Sequence, residues 1–151
     1  MAAPVGANWG TLIPRFLLGI VFVYHGGQKL FGLFGAEPEE TRRMAETIAG
    51  WGWPAATVLG YGVGVTEFFG GACLLAGLFT RFWALGIAVV MLVGAWKVHL
   101  PHGFSVAKGG WEYPFVLAVL ALSLVVQGGG AFSLDETFFR KPAKKEGKPN
   151  P

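Results

Sequence analysis

Cysteine is almost missing from this sequence, since Cys73 is the only one in 151 residues. A single cysteine excludes an internal disulfide, a C-x-x-C redox pair and a metal site made of several cysteines. Charge is also scarce, because Asp, Glu, Lys and Arg together make up 14% of the chain. A soluble domain usually carries about 25% of these residues. We therefore predict no metal site, and we expect a lipid environment.

Apolar residues are what the sequence has in abundance. They form 53% of the chain, and the mean hydropathy is +0.51. A helix that crosses a bilayer needs about 20 mostly apolar residues. Four stretches approach this requirement, at residues 11–34, 55–79, 82–100 and 113–132. We predict an all-α fold, an integral membrane four-helix bundle over residues 1–135. The first stretch is the weakest candidate because it contains Arg15, His25 and Lys29, and the fourth is the clearest because it carries no charge.

Two further segments lie outside the four stretches. Met44, Ile48 and Trp51 recur at i, i+4 and i+7, which predicts a short amphipathic helix at the membrane interface. Trp51 and Trp53 would anchor it there. Residues 136–151 are basic and show no apolar periodicity, so we predict a disordered cytoplasmic tail.

The basic residues predict an orientation. With four spans, both termini share a side with the turn at Arg81, and this side collects Arg15, Arg81, Arg140, Lys141, Lys144, Lys145 and Lys148. The opposite side has only Arg42, Arg43 and Lys108. Because basic residues concentrate in cytoplasmic segments, we expect a multi-pass protein of the bacterial inner (cytoplasmic) membrane with both termini in the cytoplasm.

Polar residues inside the apolar stretches are the candidate site. They are the ligand-binding candidates His25, Gln28, Lys29, Glu67, Lys97 and Glu112. Ionisable groups at membrane depth usually face the bundle interior and mark a function. With alternating helix directions, most of them fall in the outer half of one bundle. No catalytic residue can be assigned from this pattern.

Glycines share helix faces with these charges. Gly60, Gly64 and Gly71 lie on one stripe with Glu67, and Gly86 and Gly94 lie on one stripe with Lys97. Small residues on a stripe allow a second helix to approach closely. We predict that all five glycines pack against other helices, within the chain or in a homodimer.

Each candidate also has a structural interpretation. Glu67 could simply neutralise Lys29 or Lys97, and the sequence does not decide which. Both lysines could instead extend to the outer headgroups. Gln28 could form a hydrogen bond between helices. Outside the candidate set, we expect Arg15 to meet cytoplasmic phosphates, and His99 to be an interfacial loop residue.

Three segments that run from Arg15 at one end to Asp135 at the other resemble the DoxX family. They read RFLLGIVFVYHGGQKLFGLFG, GVTEFFGGACLLAGLFTRFWALGIAVVMLVGAWKVHLPHGF and GGWEYPFVLAVLALSLVVQGGGAFSLD. The resemblance implies a small bacterial inner-membrane protein with a four-helix bundle. Members are generally described as oxidoreductases, and some are linked to sulfur-compound oxidation that feeds the quinone pool or to oxidative-stress defence. The family has no agreed catalytic residue set.

Two classes of function remain open. In the first, the chain is a redox subunit that holds a quinone headgroup among His25, Gln28 and Lys29, with Glu67 as proton carrier. In the second, it is a non-catalytic anchor or scaffold for a partner enzyme, or it binds a lipid-like ligand.

The cofactor is left open by the sequence. A quinone fits the residues, and a haem between His25 and His99 is less favoured. No flavin or nicotinamide motif is present, because GYGVG at residues 60–64 lies inside an apolar helix and not after a strand. The expected partners are the lipid bilayer, a redox protein and a second copy of the chain, with no nucleic acid.

Overall fold

The computed structural model describes residues 9–36 and 39–139, and every regular element in these ranges is helical. The helices are α1 (Leu12–Phe31), α2 (Glu40–Gly50), α3 (Ala56–Ala76), α4 (Thr80–Gly94), α5 (Glu112–Gln127) and α6 (Leu134–Phe139). Helix α4 continues through a π turn, Ala95–His99, and a 3₁₀ turn, Leu100–His102. The predicted all-α fold class is confirmed for this part of the chain.

Four helices build the body of the protein. Helix α1 packs on α3, α3 on α4, and α4 on α5, while α5 also contacts α1. Their shared core consists of Leu18, Phe22, Leu74, Ala84, Ile87, Ala88, Leu117, Ala121 and Leu124. Alanine at three of these positions keeps α4 and α5 close, since a small side chain lets two helices approach.

The helices differ in length from the predicted spans. By length and composition, two described segments could cross a bilayer, Ala56–Ala76 and Thr80–His102. The stretch 113–132, the clearest candidate by charge, forms only the 16-residue helix α5. The reason is the run of three glycines that begins at Gly128, whose φ of 81° lies outside the right-handed helical region. Helix α1 likewise ends at Phe31, before the left-handed Gly32.

The outer surface of the helices is apolar. Large side chains point away from the core along each long helix, including Ile13, Phe69, Phe82 and Val126, which are 77%, 47%, 68% and 75% exposed. A soluble monomer rarely presents so much contiguous apolar surface. A surface of this kind is typical of helices that contact lipid.

Helices α1 and α3 approach so closely that no side chain fits between their backbones. A Cβ added to Gly26 would lie 2.2 Å from the Phe68 backbone nitrogen, and one on Gly71 would lie 2.7 Å from the nitrogen of Val23. A Cβ on Gly64 would meet the Leu30 side chain at 2.8 Å. Backbone atoms cannot move aside as the Leu30 side chain can, so glycine is required at Gly26 and Gly71.

The other predicted packing glycines differ from one another. A Cβ on Gly60 would meet Ala45 of α2 at 3.1 Å, and one on Gly86 would meet Thr66 at the same distance. A Cβ on Gly94 would have nothing within 4 Å. The predicted helix contact is thus absent at Gly94, because this part of α4 borders an open cavity.

Arg15 closes the end of the bundle opposite that cavity. It is 1% exposed, and its guanidinium donates hydrogen bonds to the carbonyl oxygens of Gly129 (2.5 Å), Ala131 (3.3 Å) and Phe132 (2.9 Å). The expectation that Arg15 meets lipid phosphates is therefore wrong. The physical reason is that the turn after α5 offers carbonyl groups that no helix satisfies, and a planar guanidinium can bind several of them.

Asp135 binds the start of α4 at the same end of the molecule. Its carboxylate accepts hydrogen bonds from the backbone N–H groups of Phe79 at 2.6 Å and Thr80 at 2.8 Å. A carboxylate at a helix N-terminus satisfies free donors and complements the helix dipole. Asp135 is the second residue of α6, which continues to Phe139, so the first residues of the predicted tail are helical. Residues 140–151 lie outside the described part.

Helix α2 packs on α3, and its buried face consists of Thr41, Ala45 and Ile48. At its exposed beginning, the hydrogen bond and charge of Arg42 hold the pKa of Glu39 below its usual range. The amphipathic pattern predicted the helix, and its apolar face covers neighbouring helices in the structure.

Candidate ligand-binding cavity

Lys29 and Glu67 form an ion pair that connects α1 to α3. The Nζ of Lys29 lies 2.5 Å from Oε2 of Glu67, and the two side chains are 16% and 3% exposed. Charges withdrawn from solvent to this degree persist when they are paired and hydrogen-bonded. The sequence left the partner of Glu67 open between Lys29 and Lys97, and in the structure the partner is Lys29.

Thr41 fixes the backbone at the same point. Its hydroxyl donates a hydrogen bond to the carbonyl oxygen of Lys29, which lies in the last turn of α1. Carbonyl groups in a last helical turn have no partner inside their own helix. Helix α2 therefore supplies the missing donor and holds the end of α1 beside Glu67.

A cavity of about 630 Å³ opens beside this ion pair, within the size range of small-molecule sites. Helices α1, α2, α3, α4 and α5 all contribute to its wall. The apolar part of the wall includes Phe22, Met44, Ile48, Trp51, Trp53, Val58, Val63, Val89, Val90, Met91, Val93, Val98 and Leu117. The polar groups are few, namely His25, Lys29, Thr66, Glu67, His99 and Tyr113.

His25 lies one helical turn before Lys29 and lines the same cavity. Its ring contacts Tyr24 edge to face, with 5.4 Å between the centroids. Among the described residues, no protein group accepts or donates a hydrogen bond to the imidazole of His25. The ring is therefore available to a molecule in the cavity.

The π turn at the end of α4 decides which side chains reach the cavity from that helix. A π turn contains more residues than an α turn, because its hydrogen bonds run from i to i+5. The wider turn rotates the residues after Gly94 backward relative to a continuous α-helix. Lys97, predicted to share the face of Gly94, does not line the cavity, whereas Val98 and His99 do.

Three predicted site residues lie away from the cavity. Lys97 Nζ lies 4.2 Å from the ring centroid of Trp96 and 5.7 Å from that of Trp53. Glu112 accepts a hydrogen bond from the Val106 backbone at 2.9 Å and so fastens the loop before α5. Gln28 is half-buried and also does not line the cavity.

Sequence reasoning missed two parts of the wall. Helix α2 contributes Met44 and Ile48, and Trp51 follows directly after it. Their regular spacing predicts a helix at a membrane surface. His99 was interpreted as a loop residue, although it faces the cavity. The apolar spacing gave the correct face of α2, but a spacing does not say what the face covers.

This wall suits an amphipathic ligand. Aromatic and aliphatic side chains would surround a ring or chain, and a few polar groups at one side would orient an oxygen atom. Within residues 9–36 and 39–139, no group of three or more His, Cys, Asp or Glu side chains is placed to hold a metal ion.

The fold and the cavity define a helical membrane protein with a ligand-sized space between its helices. The family model for DoxX matches residues 10–100. The chain belongs to the DoxX family, which confirms the resemblance drawn from the sequence.

Three relatives support this assignment. An uncharacterised protein of Haemophilus influenzae is 37% identical over 131 residues, which are 84% of this chain and 89% of that protein. The Bacillus subtilis protein named "Putative oxidoreductase CatD" is 27% identical, over 91% of this chain and 92% of its own. The Escherichia coli protein named "Inner membrane protein YqjF" is 28% identical, over 87% and 94%. No solved structure matches this chain.

Proposed function

We propose that this protein is an oxidoreductase component of the bacterial inner membrane and binds a quinone-class molecule in the cavity. The observation that carries the proposal is the cavity of about 630 Å³, whose apolar wall is interrupted by His25, His99 and the Lys29–Glu67 pair. The name of the Bacillus subtilis relative, which describes an oxidoreductase, supports redox chemistry.

The polar groups fit the needs of a quinone. One of the three N–H groups of the Lys29 ammonium donates to Glu67, and the other two can donate to a ligand oxygen. A cationic donor stabilises the negative charge that such an oxygen gains on reduction. Glu67 would carry protons between the cavity and its surroundings, as buried carboxylates do in membrane relays. Reduction to the quinol takes two electrons and two protons, and the electrons would come from a partner redox protein.

We further propose that α1, α3, α4 with its extension, and α5 all cross the inner membrane. Both chain termini would then lie in the cytoplasm with Arg81 and the buried Arg15. Support comes from the exposed apolar surface on each helix, the uneven distribution of basic residues and the name of the Escherichia coli relative, which describes an inner membrane protein. The links to sulfur-compound oxidation and oxidative-stress defence stay predictions from the resemblance.

A second candidate is binding of a lipid-like ligand without electron transfer, in a protein that anchors a partner enzyme. The observation that favours it is the ion pair itself. Glu67 already neutralises Lys29 at 2.5 Å, so the pair could be purely structural and the cavity could hold only an acyl chain.

A binding experiment tests the proposal. The protein in lipid nanodiscs is titrated with a short-chain 1,4-benzoquinone, and occupancy is followed by quenching of tryptophan fluorescence, to which Trp51 and Trp53 in the cavity wall contribute. Gly94→Phe should fill the space and weaken binding at least tenfold, because Gly94 lines the cavity with nothing within 4 Å of an added Cβ. Gly50→Phe is the matched control, since Gly50 has the same free space but does not line the cavity.

The outcomes separate the two candidates. Saturable quenching that Gly94→Phe removes and Gly50→Phe keeps supports quinone binding. Quenching that never saturates, or that both variants leave unchanged, contradicts it. An absorbance spectrum of the purified protein shows in addition whether a coloured cofactor is bound.

A further inference from the structure

His99 has a fixed pattern of hydrogen bonding. Its Nδ1 lies 2.7 Å from the carbonyl oxygen of Gly109. A carbonyl oxygen can only accept, so Nδ1 must carry the hydrogen in this contact. In the neutral imidazole, Nε2 then has no hydrogen and is an acceptor. The described residues provide no partner for Nε2.

The loop that contains Gly109 is held in place by hydrogen bonds of its own. The N–H of Gly110 donates to the Ser105 carbonyl at 2.9 Å, and the N–H of Trp111 donates to the Gly103 carbonyl at 3.1 Å. Glu112 adds its hydrogen bond from Val106. A Cβ on Gly110 would lie 2.3 Å from the Gly103 oxygen, so this turn is closely packed. The carbonyl of Gly109 is therefore presented to His99 by a closed loop.

Helix α1 provides a hydrogen-bond donor, in contrast to the acceptor Nε2 of His99. Lys29 has an ammonium, which can only donate, and it lines the same cavity as His99. The cavity thus offers a hydrogen-bond acceptor from α4 and a donor from α1. A ligand that satisfies both has a hydroxyl on one side and an accepting oxygen on the other.

We infer that His99 is a specificity-determining residue, which selects the reduced, hydroxyl-bearing form of the ligand through Nε2. This inference rests on the proposed quinone site and adds to it a preference for the quinol over the quinone. A quinone has two carbonyl oxygens, which can only accept hydrogen bonds. Next to Nε2, a quinone oxygen would form no hydrogen bond, because neither atom carries a hydrogen. A quinol donates a hydroxyl to Nε2, and its other oxygen can still accept from Lys29.

The test compares the two forms of one probe. A short-chain 1,4-benzoquinone and its hydroquinone are titrated anaerobically into the protein in nanodiscs, with calorimetry as the readout and empty nanodiscs as the blank. We expect the wild-type protein to bind the hydroquinone about tenfold more tightly, the size of effect that one hydrogen bond in a closed site provides.

Two substitutions at His99 test the roles of Nδ1 and Nε2 one at a time. The amide of His99→Asn can reach the position of Nδ1 and keep the bond to Gly109, but it leaves no acceptor at Nε2. The longer His99→Gln places its amide near the position of Nε2, where its oxygen can accept from a hydroquinone and its NH2 can donate to a quinone. We expect both substitutions to abolish the preference for the hydroquinone, while His99→Gln still binds both forms. Thermal unfolding of both variants checks that the fold is intact.

Each outcome has one interpretation. If the wild-type protein binds neither form, the proposed quinone site itself fails. If it binds both forms equally, or if His99→Asn leaves the preference unchanged, the quinone site stands and the role of His99 is refuted. If neither variant folds, His99→Phe is measured in the same way, and an unchanged preference there refutes the role.

Discussion

The ammonium of Lys29 and the carboxylate of Glu67 meet at 2.5 Å between α1 and α3, at the edge of a largely apolar cavity. This contact gives the largely buried lysine a counter-charge, which the low dielectric of the interior requires. The same contact places two ionisable groups at a ligand-sized space. Its structural and functional roles can be separated by mutation.

Lys29→Met should leave Glu67 without its partner and destabilise the protein by about 3 kcal/mol, the usual cost of breaking a buried pair. The double variant Lys29→Met with Glu67→Gln removes both charges and should recover most of that loss. Thermal unfolding in detergent measures the stability, and the benzoquinone titration measures binding. We expect the double variant to fold and to bind no quinone. If a stable double variant binds quinone as tightly as the wild-type protein, the Lys29–Glu67 pair has only a structural role.

Gly71→Ala should destabilise the protein by about 3 kcal/mol, because its Cβ would meet the Val23 nitrogen at 2.7 Å and the Gly19 oxygen at 2.9 Å. Gly94→Ala is the control, because an added Cβ there meets nothing within 4 Å. Alanine is the better helix former by roughly 0.5–1 kcal/mol, so Gly94→Ala should be neutral or slightly stabilising. Equal midpoints of thermal unfolding for the two variants would contradict the close contact between α1 and α3.

Thr41→Val should cost about 1–2 kcal/mol, because it leaves the Lys29 carbonyl without its donor in a part-buried position. Thr47→Val on the same helix is the control. Thr47 is exposed and donates to the Arg43 carbonyl within α2, so its loss should change stability by less than about 0.5 kcal/mol. Hydrogen exchange of α2 should rise in Thr41→Val only, and an equal rise in both would show that Thr41 does not fasten α2 to α1.

Arg15→Lys should destabilise the protein by about 2–3 kcal/mol, because an ammonium cannot reproduce the planar set of bonds to Gly129, Ala131 and Phe132. Arg81→Lys at an exposed site of the same end is the matched control and should be close to neutral. Denaturation in detergent compares the two. Similar losses in both variants would point to a general effect of charge at this end.

Cysteine labelling tests the proposed orientation. In a Cys73→Ser background, single cysteines at Ala36 and Lys108 should react with a membrane-impermeant maleimide added to intact spheroplasts. A cysteine at Lys144 should react only after the membrane is opened. Labelling of position 144 from the periplasmic side would overturn the proposed cytoplasmic termini.

Periodicity and charge are local properties, and they predicted a large part of the fold. The helical face of Met44 and Ile48 and the exclusion of disulfides follow from the sequence alone. The length of α5 was harder to predict, because hydropathy does not register that three glycines end a helix. Arg15 was misassigned for a related reason, since its partners are backbone carbonyls of a turn more than 100 residues away.

Composition and motif spacing are carried by neighbouring residues, so they are enough to identify the chain as helical, apolar and a member of the DoxX family. Three features depend instead on the folded structure: Glu67 pairs with Lys29, α2 lines the cavity, and His99 reaches the cavity while Lys97 does not. These outcomes depend on how helices distant in sequence approach one another and on a π turn that changes the direction of two side chains. A single additional residue in a helical turn rotates every later side chain, and a hydropathy pattern does not distinguish an α turn from a π turn.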